Sequence, residues 1–139
     1  MALIPVIAAI VRRGERYLVG RRPAGKRHGG LWEFPGGKLL DGEDWLDAAR
    51  RELAEELRID VVSVGEVLLR AKDPDSPFDI HFVEVQVGST LVPQALEHSE
   101  VGWFTPDELH TLPMAPADAE MVSLLLTDPP AGHRPRGRP

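Results

Sequence analysis

From Leu3 to Val11 every position except Pro5 is hydrophobic, and the segment reads as a buried strand. Tyr17 to Gly20 reads as its antiparallel partner, in a hairpin turned at Arg13-Gly14-Glu15. Residues 21–30 are basic and glycine-rich without apolar periodicity, which marks a loop. Between Asp44 and Arg58 the pattern changes to a helical one, with Leu46, Ala49, Leu53 and Leu57 on one stripe. Val61 to Leu69 and Phe78 to Val87 are rich in β-branched residues and flank the breaker cluster Asp73-Pro74-Asp75-Ser76-Pro77, so they are expected to pair as strands. Val101 to Phe104 predicts another short strand. Pro116 to Leu126 predicts a last helix, with proline in its first turn and Met121, Leu124 and Leu125 on its apolar face. After Thr127 the chain reads DPPAGHRPRGRP, a composition that buries little, so one domain over residues 1–127 and a disordered tail over residues 128–139 are expected.

A length of 139 residues with 42% hydrophobic content suits a single core without staples. The chain has no cysteine, so disulfides and thiolate metal sites are excluded and any metal must be held by oxygen or imidazole. The longest apolar run is too short to span a bilayer and lacks the basic start of a signal peptide, so no membrane partner and a cytoplasmic location are expected. A formal net charge of −6 argues against stable coating of a nucleic acid. A nucleotide remains possible as a ligand, provided local cations or a bound metal neutralise its phosphates.

Glu52, Glu55 and Glu56 stand at helical offsets of three and four and so share an acidic arc beside the apolar stripe. On a lone helix such an arc is usually a solvated face. The preceding residues change that reading. Gly36-Gly37, Glu43 and Arg51 complete the run GKLLDGEDWLDAARRELAEELRI, whose set spacing would arise by chance at on the order of one start in ten million.

The run resembles the Nudix box: Gly, five residues, Glu, seven residues, Arg-Glu-apolar-any-Glu-Glu, any residue, Gly, apolar. Gly37, Glu43, Arg51, Glu52, Leu53, Glu55, Glu56 and Ile59 occupy its places, and Arg58 replaces its second glycine. A glycine there supplies a left-handed helix end, so this helix must close differently or at some cost in stability. The resemblance implies an α/β fold, an α/β/α sandwich with a mixed sheet between helices, and a magnesium cofactor for which manganese can substitute. It implies metal ligation by Glu52, Glu55, Glu56 and the Gly37 carbonyl, with Glu43 and Arg51 orienting the ligands. Outside the box, RRPAGKRHGGLWEFPGGK is similar to the approach found in MutT-type members, which makes Arg22 and Lys38 phosphate-binding candidates. Glu97, six residues before Trp103, stands where such proteins carry a further metal-binding glutamate. Glu52 is preferred over Glu97 as general base, and Glu55 and Arg51 complete the catalytic set. Trp32, Phe34 and Trp103 are read as core aromatics with no base-stacking role.

The segment LPMAPADAEMV is similar to that of bacterial CTP pyrophosphohydrolases, with Asp118 in the place of a base-recognising asparagine of MutT-type enzymes. An ionised Asp118 only accepts hydrogen bonds and suits the amine of cytosine or adenine. A protonated Asp118 also donates, which keeps 8-oxo-dGTP open as a substrate, and a simple helix-capping role is a third reading. The resemblance therefore implies a nucleoside triphosphate pyrophosphohydrolase that yields the monophosphate and pyrophosphate, in nucleotide-pool sanitation and DNA repair. Its alternatives are an 8-oxo-dGTP diphosphatase and a catalytically silent nucleotide-binding module of the same fold. The sequence leaves the oligomeric state open.

Overall fold

The buried character of β1 (Ile4–Ile10) follows from its place between two layers. In the computed structural model, which describes residues 2–134, Ile7, Ala9 and Val11 face a core shared with helix α1 (Trp45–Leu57), while Ala8 and Ile10 face one shared with α2 (Pro106–Thr111) and α3 (Pro116–Thr127). Alternate side chains of one strand thus serve opposite cores, which explains an unbroken apolar run where a half-exposed strand would alternate.

β1 pairs in parallel with β7 (Phe78–Val87) and antiparallel with β5 (Gly36–Lys38), and β7 pairs antiparallel with β6 (Val61–Lys72), giving a mixed sheet in the order β5-β1-β7-β6. A second sheet is centred on β3 (Arg16–Arg21), with β2 (Arg12–Arg13) and β4 (Trp32–Glu33) along one edge and β8 (Glu100–Phe104) along the other. The expected hairpin between the first strand and Tyr17–Gly20 is corrected here. Both edges of β1 are taken by β5 and β7, so only Arg12–Arg13 folds back on Arg16–Tyr17, and the rest of β3 pairs with β4 and β8. The short helix α2 was absent from the expectation. Its Thr105-Pro106-Asp107-Glu108 start is a full capping box, with the Glu108 carboxylate accepting from Thr105 N at 2.9 Å.

Helix α1 begins at Asp44, whose side chain accepts from Asp47 N at 2.8 Å while Asp47 accepts in return from Asp44 N. It buries Ala48, Ala49, Leu53 and Leu57, each fully buried leucine contributing about 2 kcal/mol. Its far end closes in the left-handed conformation after all, with Arg58 at φ 56°, Arg58 N bonded to Ala54 O and Ile59 N to Leu53 O. Past α3, His133 stacks on Tyr17 and its Nδ1 lies 2.7 Å from the tyrosine oxygen, so the first part of the expected tail packs on the domain. Residues 135–139 of that tail lie outside the described residues. Among the described residues, no helix is long and apolar enough to cross a membrane.

Candidate active site

Helix α1, the start of β5 and the loop before β8 enclose an acidic pocket lined by Glu52, Glu56, Glu97, Glu33, His98 and Arg22, among others. The α1 carboxylates do not form the uniform face expected from their spacing. Glu55 is more than half exposed, Glu52 is largely covered, and Glu56 is buried at 5% exposure. Burial raises the Glu56 pKa well above the ordinary carboxyl value, and the hydrogen bond with Glu52 and the charges of Glu52, Glu33 and Glu97 push it the same way. Its Oε2 is buried without a hydrogen-bond partner among the described residues. Oxygen and imidazole atoms of Glu33, Glu56 and His98 lie within 4.8 Å of one another. The carboxylates of Glu52, Glu56 and Glu97 line the same pocket, and hard oxygen donors with an orphaned buried carboxyl oxygen among them fit a divalent cation.

The pocket is braced from outside by Arg51. Its guanidinium forks onto Glu43, with Nε 2.8 Å from Oε2 and Nη2 2.9 Å from Oε1, and the same group donates to Glu52 at 2.7 Å and to the Lys38 carbonyl at 2.9 Å. The Arg51 hydrogen bonds, joined by the Leu40 N–H, lower the Glu43 pKa to about 2, so Glu43 remains a charged anchor. The Glu52 carboxylate lies so close over the β5 backbone that any side chain at Gly37 would collide with it. Position 37 is therefore glycine for access.

Continuous with this pocket through Arg22, Glu33 and Gly36 is a cleft of ≈ 230 Å³ with a largely apolar lining that includes Ile7, Phe34, Phe78, Ile80 and Ala115. Lys38 lines it too, its ammonium 5.3 Å from the Phe78 ring centroid. Arg22 stands at the junction, hydrogen-bonded to Glu33 at 3.2 Å and to the Arg27 carbonyl. The basic loop is latched across the cleft by Asp73, whose oxygens meet Arg27 Nε and His28 Nε2, each at 3.0 Å.

Asp118 closes the cleft. Trp32 N donates to Pro113 O, and Ala115 N to Trp32 O, which seats the start of α3 beside β4. Asp118 lies in the first turn of that helix, while Ala115 holds the cap position, so the capping alternative is not the arrangement found. One Asp118 oxygen accepts from Phe34 N at 2.8 Å. Burial raises its pKa well above the usual range, the Glu33 charge adds to this, and the Phe34 N–H opposes it. The direction is toward the acid form, which donates as well as accepts.

The structure brings Glu52, Glu56, Glu97, Gly37 and Arg22 together, with Lys38 and Asp118 along the adjoining cleft. Glu55 stands aside, 3.8 Å from Arg51. Trp32 and Phe34 are core residues, while Trp103 is half-buried beneath the Arg13 guanidinium. Glu33 and His98 were not anticipated. The available signals were weak: Glu33 stands within the WEFPGGK approach and His98 follows Glu97.

Comparison with known proteins agrees with this geometry. The NUDIX domain model matches residues 2–125. The CTP pyrophosphohydrolase of Escherichia coli is 38% identical over 129 residues, covering 91% of this chain and 93% of that protein. An 8-oxo-dGTP diphosphatase of Proteus vulgaris is 54% identical over 65 residues, covering 46% of this chain and 58% of its own length. The solution structure of the E. coli ORF135 protein superposes with a TM-score of 0.76 at 37% identity, covering 94% of this chain and 96% of that one. With its box residues gathered around one acidic pocket and its whole domain matched, the chain belongs to the Nudix hydrolase family.

Proposed function

We propose that the protein is a nucleoside triphosphate pyrophosphohydrolase acting on CTP, dCTP or modified cytosine nucleotides, with magnesium as its working cation and manganese as a substitute. The carrying observation is that a buried, hydrogen-bonded Asp118 ends an apolar cleft that runs through Arg22 into the acidic pocket. A base, a phosphate chain and a cation would then lie in that order.

Cytosine offers an acceptor ring nitrogen beside a donor amine. Neutral Asp118 answers both, its hydroxyl donating to the nitrogen and its carbonyl oxygen accepting from the amine. Arg22 and Lys38 hold phosphate oxygens. Glu52, Glu56, Glu97 and the Gly37 carbonyl would hold the divalent cation, which supplies charge neutralisation on the phosphates when bound. Arg51 fixes one oxygen of Glu52, leaving the other to take a proton from the attacking water. The phosphoanhydride bond breaks as the water oxygen bonds to phosphorus, and the products are the nucleoside monophosphate and pyrophosphate. The similarity to a CTP pyrophosphohydrolase over 91% of the chain supports the cytosine assignment.

A second reading, 8-oxo-dGTP hydrolysis, is favoured by the same neutral Asp118, because oxidised guanine also sets an acceptor beside a donor. Pyrophosphate release from CTP, dCTP, 5-methyl-dCTP, 8-oxo-dGTP, ATP and ADP-ribose, with and without magnesium, decides between them. Magnesium-dependent preference for cytosine nucleotides is the expected result. Preference for 8-oxo-dGTP would move the second reading to first place, and no turnover of any of them would favour a silent binding module.

A further inference from the structure

We propose that His98 is a positioning residue for the cation site, its imidazole clamped on the bare backbone of Gly20 so that Nε2 holds the Glu33 and Glu56 carboxylates in register. This rests on the cation-dependent reading above and adds to it a part for two residues that lie outside the box.

The His98 side chain is 3% exposed, and its Nε2 lies 3.0 Å from Glu33 Oε2 and 3.7 Å from Glu56 Oε1. An ionised carboxylate only accepts, so Nε2 carries the hydrogen it shares with Glu33. The ring has little freedom. A Cβ on Gly20 would stand 2.5 Å from His98 Cγ and 2.6 Å from Cδ2, so only glycine at this place in β3 admits the imidazole. Gly20 cannot retreat, because β3 is paired there with Glu33 of β4 on one side and Val101 of β8 on the other. The loop carrying His98 is tied on both flanks, by Leu96 N to Glu56 O at 3.1 Å and by Ser99 N to Arg21 O at 2.9 Å.

The consequence is electrostatic. Glu33, Glu52, Glu56 and Glu97 crowd one pocket, and the His98 Nε2–H is a hydrogen-bond donor among these acceptors. Nε2 is hydrogen-bonded to Glu33 and lies 3.7 Å from Glu56 Oε1, while the Glu33 carboxylate also meets Arg22. His98 thereby links the phosphate-facing arginine to the buried cation-site carboxyl. Removing a residue that orients a metal-binding group typically lowers metal affinity by about 10- to 100-fold.

The test is the affinity of the full chain for Mn2+ alone, read from the electron paramagnetic resonance signal of free Mn2+, beside thermal unfolding to confirm folding. His98→Ala should weaken binding by about 10-fold or more. Gly20→Ala should act in the same direction by displacing the ring. The double variant should bind as His98→Ala does, because the three atoms nearest the added methyl all belong to the imidazole that is gone. His98→Gln, whose amide N–H can reach Glu33, should recover part of the affinity. The half-saturating Mn2+ concentration for turnover by His98→Ala should rise in step with its Kd. A folded His98→Ala variant with the wild-type Kd, or additive losses in the double variant, would overturn the proposal. A Glu56→Gln control separates the two levels: if wild type and Glu56→Gln bind Mn2+ alike, the cation-site reading itself fails, and the positioning role falls with it.

Discussion

Two buried carboxyl groups lie at opposite ends of the active-site groove, and they are set up differently. Glu56 is surrounded by other acids and, among the described residues, its Oε2 has no hydrogen-bond partner. Asp118 lies at the end of a largely apolar cleft and has one oxygen satisfied by Phe34 N. Both have raised pKa values with burial as the first cause. The lesson is that the same physical shift prepares one group for a metal and the other for a base, and the surroundings decide which.

The largest effect should come from the acidic end. Glu52→Gln should lower kcat by about 10³-fold, within the range for loss of a general base, with little change in KM for the nucleotide. Steady-state kinetics at saturating magnesium would check this, and an unchanged kcat would pass the base role to Glu97.

At the other end, Asp118→Ala should lower kcat/KM for cytosine nucleotides by about 10- to 100-fold, as expected for losing a hydrogen-bonding pair in a dry cleft. Asp118→Asn keeps one donor and one acceptor and should stay within several-fold of wild type. It should also remove any rise in KM with increasing pH, since the acid form donates and the ionised form cannot. A large loss with Asn and retention of the pH dependence would mean that Asp118 acts ionised.

Proton linkage sharpens the contrast further. A carboxyl whose folded-state pKa is raised binds more protons folded than unfolded, so stability is lost as pH climbs above the unfolded value of 4.5 for Glu56 and 3.8 for Asp118. Metal-free protein should therefore lose melting temperature as pH rises from about 4.5 toward about 10, the range spanned by Glu56, with Asp118 contributing in the same direction. Magnesium should displace the Glu56 proton and flatten only that part of the slope, and Asp118→Asn should remove the other part. Melting curves in chelator and in magnesium would show whether the two contributions separate.

The smallest effect lies outside both ends. Arg58→Gly should raise stability by about 1 kcal/mol by relieving the left-handed strain at the end of α1, with activity unchanged. A shift of a few degrees in thermal unfolding is the expected reading. No shift would mean that Arg58 gains compensating contacts.

The acidic end was largely legible in the sequence, because the 3.6-residue period alone puts Glu52 and Glu56 beside the buried Leu53 and Leu57 stripe. What the period does not convey is depth: Glu56 is buried and Glu55 exposed because the loop before β8 covers one side of the helix only, through Leu96 N and Gln94 N bonded to the last turn. Glu33 and His98 meet across 65 positions through the register of β3 with β4 and β8, a tertiary fact with no local signature. The misplaced hairpin has a similar origin, since adjacency in sequence suggested pairing for a strand whose two edges are claimed by distant segments. Asp118 is marked by a resemblance, whereas its raised pKa depends on burial beside the apolar side chains of β1 and β7 and of Phe34.

The most direct test of the account is a magnesium titration of pyrophosphate release from CTP by wild type and Glu56→Gln side by side. Wild type should show saturable magnesium dependence, and Glu56→Gln, with its fold intact, a rate at least about 10²-fold lower at every magnesium concentration. Equal rates in the two proteins, or release that does not need the metal, would contradict it.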